Sequence, residues 1–283
     1  MAIWRRRLVR VAGVGLHVQR AGLPDAPPVL ALHGIGDDGG CWEAVARDLV
    51  RDHDVVLLDA RGHGRSDAPA RGYTTDDHVS DVVGVIAALG LQQPVLLGHS
   101  MGAITALVVA GQHPTVPAAV VLEDPPAWWA RHAEPEPERL ARTERLLRTV
   151  LALKRRTHAE LMEIQGEAAP GWSPTALERW AEATQRLAPQ VAWSLPEQHR
   201  ANLAIDWPVL LAAVRCPALL LHGDRARGGA LSPQEAAMLA GWVADVEVVA
   251  LDGGGHALRH ERPAAYQAAV RGFLTRTTGG GAS

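Results

Sequence analysis

The sequence predicts an α/β protein: a mostly parallel central sheet flanked by helices, with a helical insertion. Short apolar runs at 29–32, 55–58, 95–97 and 118–122 alternate with helical stretches. Near-continuous apolar strands in such an alternation belong to a parallel sheet covered on both faces. From 125 to 205 the alternation stops, and Ala, Glu, Arg, Leu and Trp predominate with scattered prolines. The strand pattern then returns at 218–221 and 246–251. An interrupted α/β core with about 80 inserted helical residues accounts for all three observations.

In order, 8–20 reads as a hairpin turning near Gly13 and Gly15. Strand 29–32 runs into His33-Gly34, helix 42–51 follows, and strand 55–58 ends at Asp59. A turn-rich segment covers 59–67, and 76–89 has helical spacing. Strand 95–97 leads through a glycine-flanked turn into helix 103–112. Strand 118–122 ends in Glu123-Asp124-Pro125-Pro126. Helices are expected at 138–157 and 174–187 within the insertion, then at 233–242 and 261–274. The core is thus 1–124 with 206–276, the inserted cap is 125–205, and the Gly-rich tail 277–283 is expected to be flexible.

The 283 residues are 47% hydrophobic with a net charge of −3, enough for one large domain with an insertion or for two domains. Both signs are interspersed, which argues against a nucleic-acid or membrane-surface partner. No apolar run reaches membrane-spanning length. Arg5-Arg6-Arg7 is followed by a stretch broken by Arg10, Gly13, Gly15 and His17, unlike a signal-peptide core. Cys41 and Cys216 are isolated, without a C-x-x-C or zinc-like cluster, so a reducing cytoplasm and no metal are expected.

Chemistry concentrates at Gly98-His99-Ser100-Met101-Gly102. A G-x-S-x-G between a buried strand and a helix holds its serine on a sharp turn, with a helix N-terminus behind it. A serine hydroxyl needs a base. His256 follows the last strand through Asp252-Gly253-Gly254-Gly255, a loop able to carry an imidazole over Ser100. His260, before Glu261-Arg262-Pro263, reads as a structural residue of the closing helix.

With His33-Gly34, Asp59-x-Arg61-Gly62-His63-Gly64-x-Ser66-Asp67, the Ser100 turn and Gly255-His256, the chain resembles the α/β-hydrolase superfamily, in particular serine esterases and lactonases with a helical cap. The resemblance implies the α/β-hydrolase fold and a cofactor-free hydrolase working through an acyl-serine. Ser100 would be the nucleophile and His256 the base. The backbone N–H groups of Ile35 and Met101 would form the oxyanion hole, with Gly34 beside the substrate. Asp37 and Asp38 read as solvated, and His63 as part of a turn held by Asp59 and Arg61.

The triad acid departs from the commonest pattern, which places Asp three residues after the glycine ending the seventh strand. Here Gly223 is followed at that spacing by Ala226. Other members place the acid after the sixth strand, so Glu123 is the expected acid, with Asp224 and Asp124 as alternatives. Successive strand residues point to opposite faces, so Glu123 and Asp124 should not both reach His256.

Nine Trp stand against one Phe and two Tyr, and Trp128, Trp129, Trp172, Trp180 and Trp193 fall in the insertion. They suggest an aromatic-lined cavity, with Trp128, Trp129 and Trp193 as expected substrate contacts. The expected partner is then a small, bulky apolar ester or lactone; a homodimer is left open. Arg139, Arg142, Arg145 and Arg148 recur at helical spacing and read as a solvated face. Carbon–carbon bond hydrolysis by the same three residues, or ligand binding with little turnover, are the alternative functions.

Overall fold

The computed structural model of the protein describes residues 3–133 and 135–278. Its eight strands are β1 (Arg5–Val11), β2 (Val14–Gly22), β3 (Pro28–Leu32), β4 (Asp54–Leu58), β5 (Val95–His99), β6 (Ala119–Glu123), β7 (Ala218–His222) and β8 (Val246–Ala250). They form one sheet in the order β1-β2-β4-β3-β5-β6-β7-β8. The β1–β2 and β2–β4 pairs are antiparallel and all later pairs parallel. The first two strands therefore close one edge, and the expected mostly parallel sheet makes up the rest.

Period-two alternation divides the core into two layers. On one face Leu30, Leu32, Val56, Leu96, Val120 and Leu122 pack against α2 (Thr75–Leu89) and α3 (Met101–Gln112). On the other, Val29, Ala31, Val55, Val95, Leu97 and Val121 pack against α1 (Glu43–Leu49) and α12 (Pro263–Thr278). Residues at the carboxyl end of each strand inherit this alternation, which becomes decisive at Glu123.

Between β6 and β7 the chain is helical. A 3-10 turn (Trp128–Ala133) precedes α4 (Glu136–Leu153), α5 (His158–Ala168), α6 (Pro174–Arg186), α7 (Pro189–Trp193), α8 (Leu195–Ala204) and α9 (Trp207–Ala212). The single helix expected over 138–157 ends at Leu153, because Thr157 and Glu160 form a reciprocal capping box that starts α5. The closing helix is likewise divided into α11 (Leu258–Glu261) and α12, since Pro263 forces Arg262 out of helical geometry. α10 (Pro233–Ala240) links β7 to β8. Thr277 and Thr278, expected in the flexible tail, belong to α12, and the tail from 279 lies outside the described residues. No helix among the described residues is long and apolar enough to cross a membrane.

The Asp59–Asp67 segment is the expected turn. Asp59 accepts the N–H groups of Gly39 (2.8 Å) and Arg65 (2.9 Å) and meets His17 Nδ1 at 2.9 Å. Arg61 binds Asp81 in a two-pronged pair at 2.6 Å for each contact. His63 is buried against the Arg61 carbonyl and faces this turn.

At Gly102, packed beneath the sheet rim, a Cβ would stand 2.2 Å from the Leu32 carbonyl oxygen. Gly102→Ala should cost about 1–3 kcal/mol by overpacking. Gly171, with nothing within 4 Å of its Cβ position, should accept Ala within about 0.5 kcal/mol. Chemical denaturation of both variants measures the difference.

Candidate active site

Ser100 sits between β5 and α3 with φ 52° and ψ −113°, a conformation rare for a residue with a side chain. Flanking glycines make the turn feasible: a Cβ on Gly98 would lie 2.4 Å from the Gly102 carbonyl oxygen. The Ser100 N–H donates to the Glu123 carbonyl at 3.0 Å, tying the turn to the neighbouring strand end.

His256 and Asp124 meet at the same rim. His256 Nδ1 donates to Asp124 Oδ2 across 2.6 Å; the carboxylate can only accept, so Nε2 is left as the basic nitrogen. Asp124 is fully buried and His256 is 38% exposed at the side chain, so the imidazole has one face toward solvent and one toward its acid. Asp124 Oδ2 also accepts the Ala230 N–H at 2.7 Å. The acid reaching His256 is therefore Asp124, and the expectation for Glu123 is corrected. Glu123 ends β6 on the face of Val121 and Ala119, toward α12, where it meets Arg259. Asp124 leaves the strand with φ 43°, and that left-handed turn swings its carboxylate to the rim. Asp224, the other alternative, is exposed and accepts from Ala226 N–H at 2.8 Å, capping a 3-10 turn.

Ser100 and His256 line a cavity of about 510 Å³ between the sheet rim and the inserted helices. Ile35 and Met101, the residues expected to supply oxyanion-hole N–H groups, line it too. Gly34 lies directly beneath the serine, where a Cβ would be 3.2 Å from Ser100 Cβ, and acts as clearance rather than wall. Trp128 is in the wall, but Trp129 and Trp193 are not. Trp129 is buried beside Trp207 in the core and donates its indole N–H to the Glu235 carbonyl at 2.8 Å, and Trp193 points outward, 61% exposed. Trp172 and Trp180 complete the aromatic wall instead. Position around a helix, which composition does not reveal, decides which Trp faces the cavity. Arg142, expected on a solvated face, also lines it, whereas Arg148 is exposed and pairs with Glu144.

A family model described as alpha/beta hydrolase fold matches residues 27–263. The chain belongs to the alpha/beta hydrolase family. It is 30% identical over 268 residues to N-formylmaleamate deformylase of Pseudomonas putida, covering 94% of this chain and 95% of that protein. It shares its fold with the crystal structure of E-2-(acetamidomethylene)succinate hydrolase, at a TM-score of 0.80 and 24% identity over 97% of this chain and 99% of the other. The enol-lactonase from Burkholderia xenovorans LB400 superposes at a TM-score of 0.73, with 26% identity over 95% of this chain and all of that one.

Three residues around the site of this alpha/beta hydrolase escape a sequence reading. Arg259, three residues past the histidine, is fully buried. It binds Glu123 (3.1 Å) and Asp37 (3.0 Å), with its guanidinium carbon 4.7 Å above the Trp42 ring. Asp37 is thus a buried partner and not solvated; Asp38 is buried too, accepting from Gly40 N–H at 2.8 Å and Arg186 at 3.4 Å. Glu261 accepts the N–H groups of Gly255 (2.6 Å) and Ala257 (3.0 Å), clasping the backbone on either side of His256. His99 donates from Nε2 to the His256 carbonyl at 3.0 Å, with the two rings 4.7 Å apart. Arg259 and His99 reach partners more than 150 residues away for Asp37 and His256 and 136 away for Glu123, while Glu261 reaches back four and six residues. His260, read from the sequence as a structural residue, packs its ring 4.4 Å from that of Trp172.

Burial pushes the Glu123 carboxyl up while Arg259 pulls it back down, so the ion pair compensates a desolvation cost. Glu123→Ala would leave the buried Arg259 guanidinium with Asp37 as its remaining carboxylate partner and should cost about 3 kcal/mol, measured by urea unfolding. Burial also holds His63, His78 and His99 well below the ordinary imidazole value, His78 down to about 3. Folding then excludes protons that the unfolded chain binds. Stability from these groups is present above about pH 6.5 and lost as pH falls, by up to about 1.4 kcal/mol per group per pH unit. Melting temperature should therefore drop steeply between pH 6.5 and 4, and His78→Gln should flatten that slope.

Proposed function

We propose that the protein is a serine hydrolase cleaving an acyl bond of an ester or lactone through an acyl-serine intermediate on Ser100. The observation that carries this reading is the 2.6 Å contact from His256 Nδ1 to buried Asp124, at the rim of the cavity that Ser100 lines. Ser100 Oγ attacks the substrate carbonyl carbon as His256 Nε2 takes its proton. Asp124 holds the imidazole in that tautomer and stabilises its charge. Met101 opens α3, so its N–H has no acceptor within the helix. With the Ile35 N–H it offers donors to the oxyanion, and the helix N-terminus adds its dipole. The imidazolium protonates the leaving oxygen, which departs. Water then loses a proton to His256, attacks the acyl carbon, and releases the acid with Ser100 restored. Side chains, backbone N–H groups and water suffice for each step.

Ile104, Pro126, Leu195 and the three cavity Trp favour a substrate with an apolar body. Amide hydrolysis by the same steps is the second reading, favoured by the full-length similarity to a protein named as a deformylase of N-formylmaleamate.

Stopped-flow assays with p-nitrophenyl esters of increasing chain length test the proposal. The wild type should give a burst of p-nitrophenol followed by steady turnover, and Ser100→Ala neither. Asp124→Asn should lower kcat by roughly ten-thousand-fold while the protein stays folded. Turnover surviving in Ser100→Ala would sink the assignment, and equal loss in Asp124→Asn and Asp224→Asn would remove Asp124 from its role.

A further inference from the structure

His78 is a buried polar group that the proposed mechanism does not use. It lies on α2 one turn after Thr75, so the two share a helix face, and both line the cavity. Asn202 lines the same cavity from α8. All three are buried, His78 with 4% exposure and Asn202 with 5%.

His78 differs from the other histidines of the interior. Eight histidines are buried among the described residues. Seven bond a protein group through the ring. His33 does so with both nitrogens, meeting the Gly34 carbonyl at 2.7 Å and the Ala60 N–H at 2.9 Å. The His78 ring bonds none among the described residues: Nε2 is buried without a partner, and Nδ1 makes no hydrogen bond or ion pair. Taking a polar group out of water without a replacement bond costs stability, so nearly all buried polar groups are paired. An exception in the wall of a cavity that also holds a nucleophile marks a place where a ligand supplies the bond. Burial and the nearby Arg61 charge push the imidazole down to about 3. It is therefore uncharged at neutral pH and offers one N–H and one lone pair.

Asn202 supplies the second half of the site. Thr75 Oγ1 donates to Asn202 Oδ1 at 2.6 Å, which orients the amide and leaves its two N–H donors without an acceptor among the described residues. The Asn202 main-chain carbonyl accepts the Trp207 indole N–H at 2.9 Å, and Thr75 follows the reciprocal Thr74–Asp77 cap that starts α2. The polar groups are thus held on two anchored helices, one of the core and one of the insertion, and such preorganisation favours selective binding. Together they present N–H donors and a lone pair, which match a group that accepts and donates without charge.

We propose that His78 and Asn202 form a hydrogen-bonding subsite for an uncharged hydroxyl or amide group, so that the natural substrate is an ester or lactone bearing such a group away from the bond that is cleaved. This rests on the serine-hydrolase reading and names its substrate class. The aromatic wall takes the carbon skeleton, and the polar pair fixes its orientation. Skeletons that lack the group are rejected, because they leave buried polar atoms unpaired.

Binding is measured separately from turnover, by calorimetry on the Ser100→Ala protein with esters paired against apolar isosteres. Methyl ω-hydroxyhexanoate is compared with methyl heptanoate, methyl adipamate with methyl isooctanoate, and hydroxyethyl hexanoate with propyl hexanoate. At least one polar member should bind about tenfold or more tighter than its isostere. His78→Phe and Asn202→Ala, each added to Ser100→Ala, should lower that preference by about fivefold or more. Because the His78 ring bonds no protein group, His78→Phe should melt within about 4 °C of its parent at neutral pH, which a structural histidine would not allow. If the larger ring prevents folding, His78→Leu and Asn202→Ala carry the same test. No preference in any pair, or a preference that survives in the folded variants, overturns the inference. A melting temperature that collapses in both His78→Phe and His78→Leu makes the residue structural and overturns it too. In wild-type turnover the polar member of the favoured pair should exceed its isostere in kcat/KM, and the ratio should fall in the same variants. Turnover surviving in Ser100→Ala would refute the hydrolase reading instead, and the calorimetry would still report on the subsite.

Discussion

The buried charge of Arg259 is the interaction on which the site depends. A guanidinium removed from water carries a large desolvation cost, tolerated only where carboxylates and good geometry surround it. Glu123 closes one side from the end of β6, Asp37 the other from the loop after β3, and the Trp42 ring covers the face. Arg259 itself belongs to α11, just past the His256 loop. One side chain thus ties together the loop holding Ile35, the strand leading to Asp124 and the segment carrying His256. The backbone adds a further tie, since the Arg259 N–H also donates to Glu123 at 3.0 Å. Glu123 is an acid placed to build the site and not to titrate within it.

Two strained residues convert that scaffold into a reactive rim. Ser100 and Asp124 both hold positive φ, at 52° and 43°, one position beyond adjacent parallel strands. Paired strand ends turning in the same left-handed sense raise both side chains out of the sheet toward the space above it. Such conformations persist only when surroundings over-determine them. Here those surroundings include the hydrogen bond from Ser100 N–H to the Glu123 carbonyl and that from Asp124 N–H to the Leu221 carbonyl at 2.8 Å. The imidazole needs its own restraint, since its loop is rich in glycine. Glu261 clasps the backbone on both sides of His256 and His99 holds its carbonyl, leaving the ring's Nδ1 to Asp124.

The inserted helices complete the cavity with chemistry of another kind. In the proposed mechanism the sheet rim supplies a nucleophile, a base and backbone donors. The helices supply aromatic surface from Trp128, Trp172 and Trp180 and guanidinium groups from Arg131 and Arg142. On that proposal reaction type resides with the first group and substrate choice mainly with the second, in keeping with a fold that hosts many chemistries by varying what covers one rim.

Local patterns by themselves determined the layered sheet, the helical nature of the insertion, the serine turn and the histidine loop. Each is written in neighbouring residues: period-two and period-3.6 hydrophobicity, two glycines flanking a serine, a glycine run before a histidine. The acid beside that histidine was narrowed to a few residues and no further. Choosing Asp124 over Glu123 requires the backbone dihedral at Asp124 and the position of Arg259, which arrives from more than 130 residues away. The same holds for the cavity wall. Trp129 and Trp193 share their composition with Trp128, and Arg148 its spacing with Arg142, yet rotation about a helix and packing on the core send them to different surroundings. Only the tertiary structure decided these, because side-chain direction at a strand end or on a partly buried helix is set by long-range packing and not by the residues alongside.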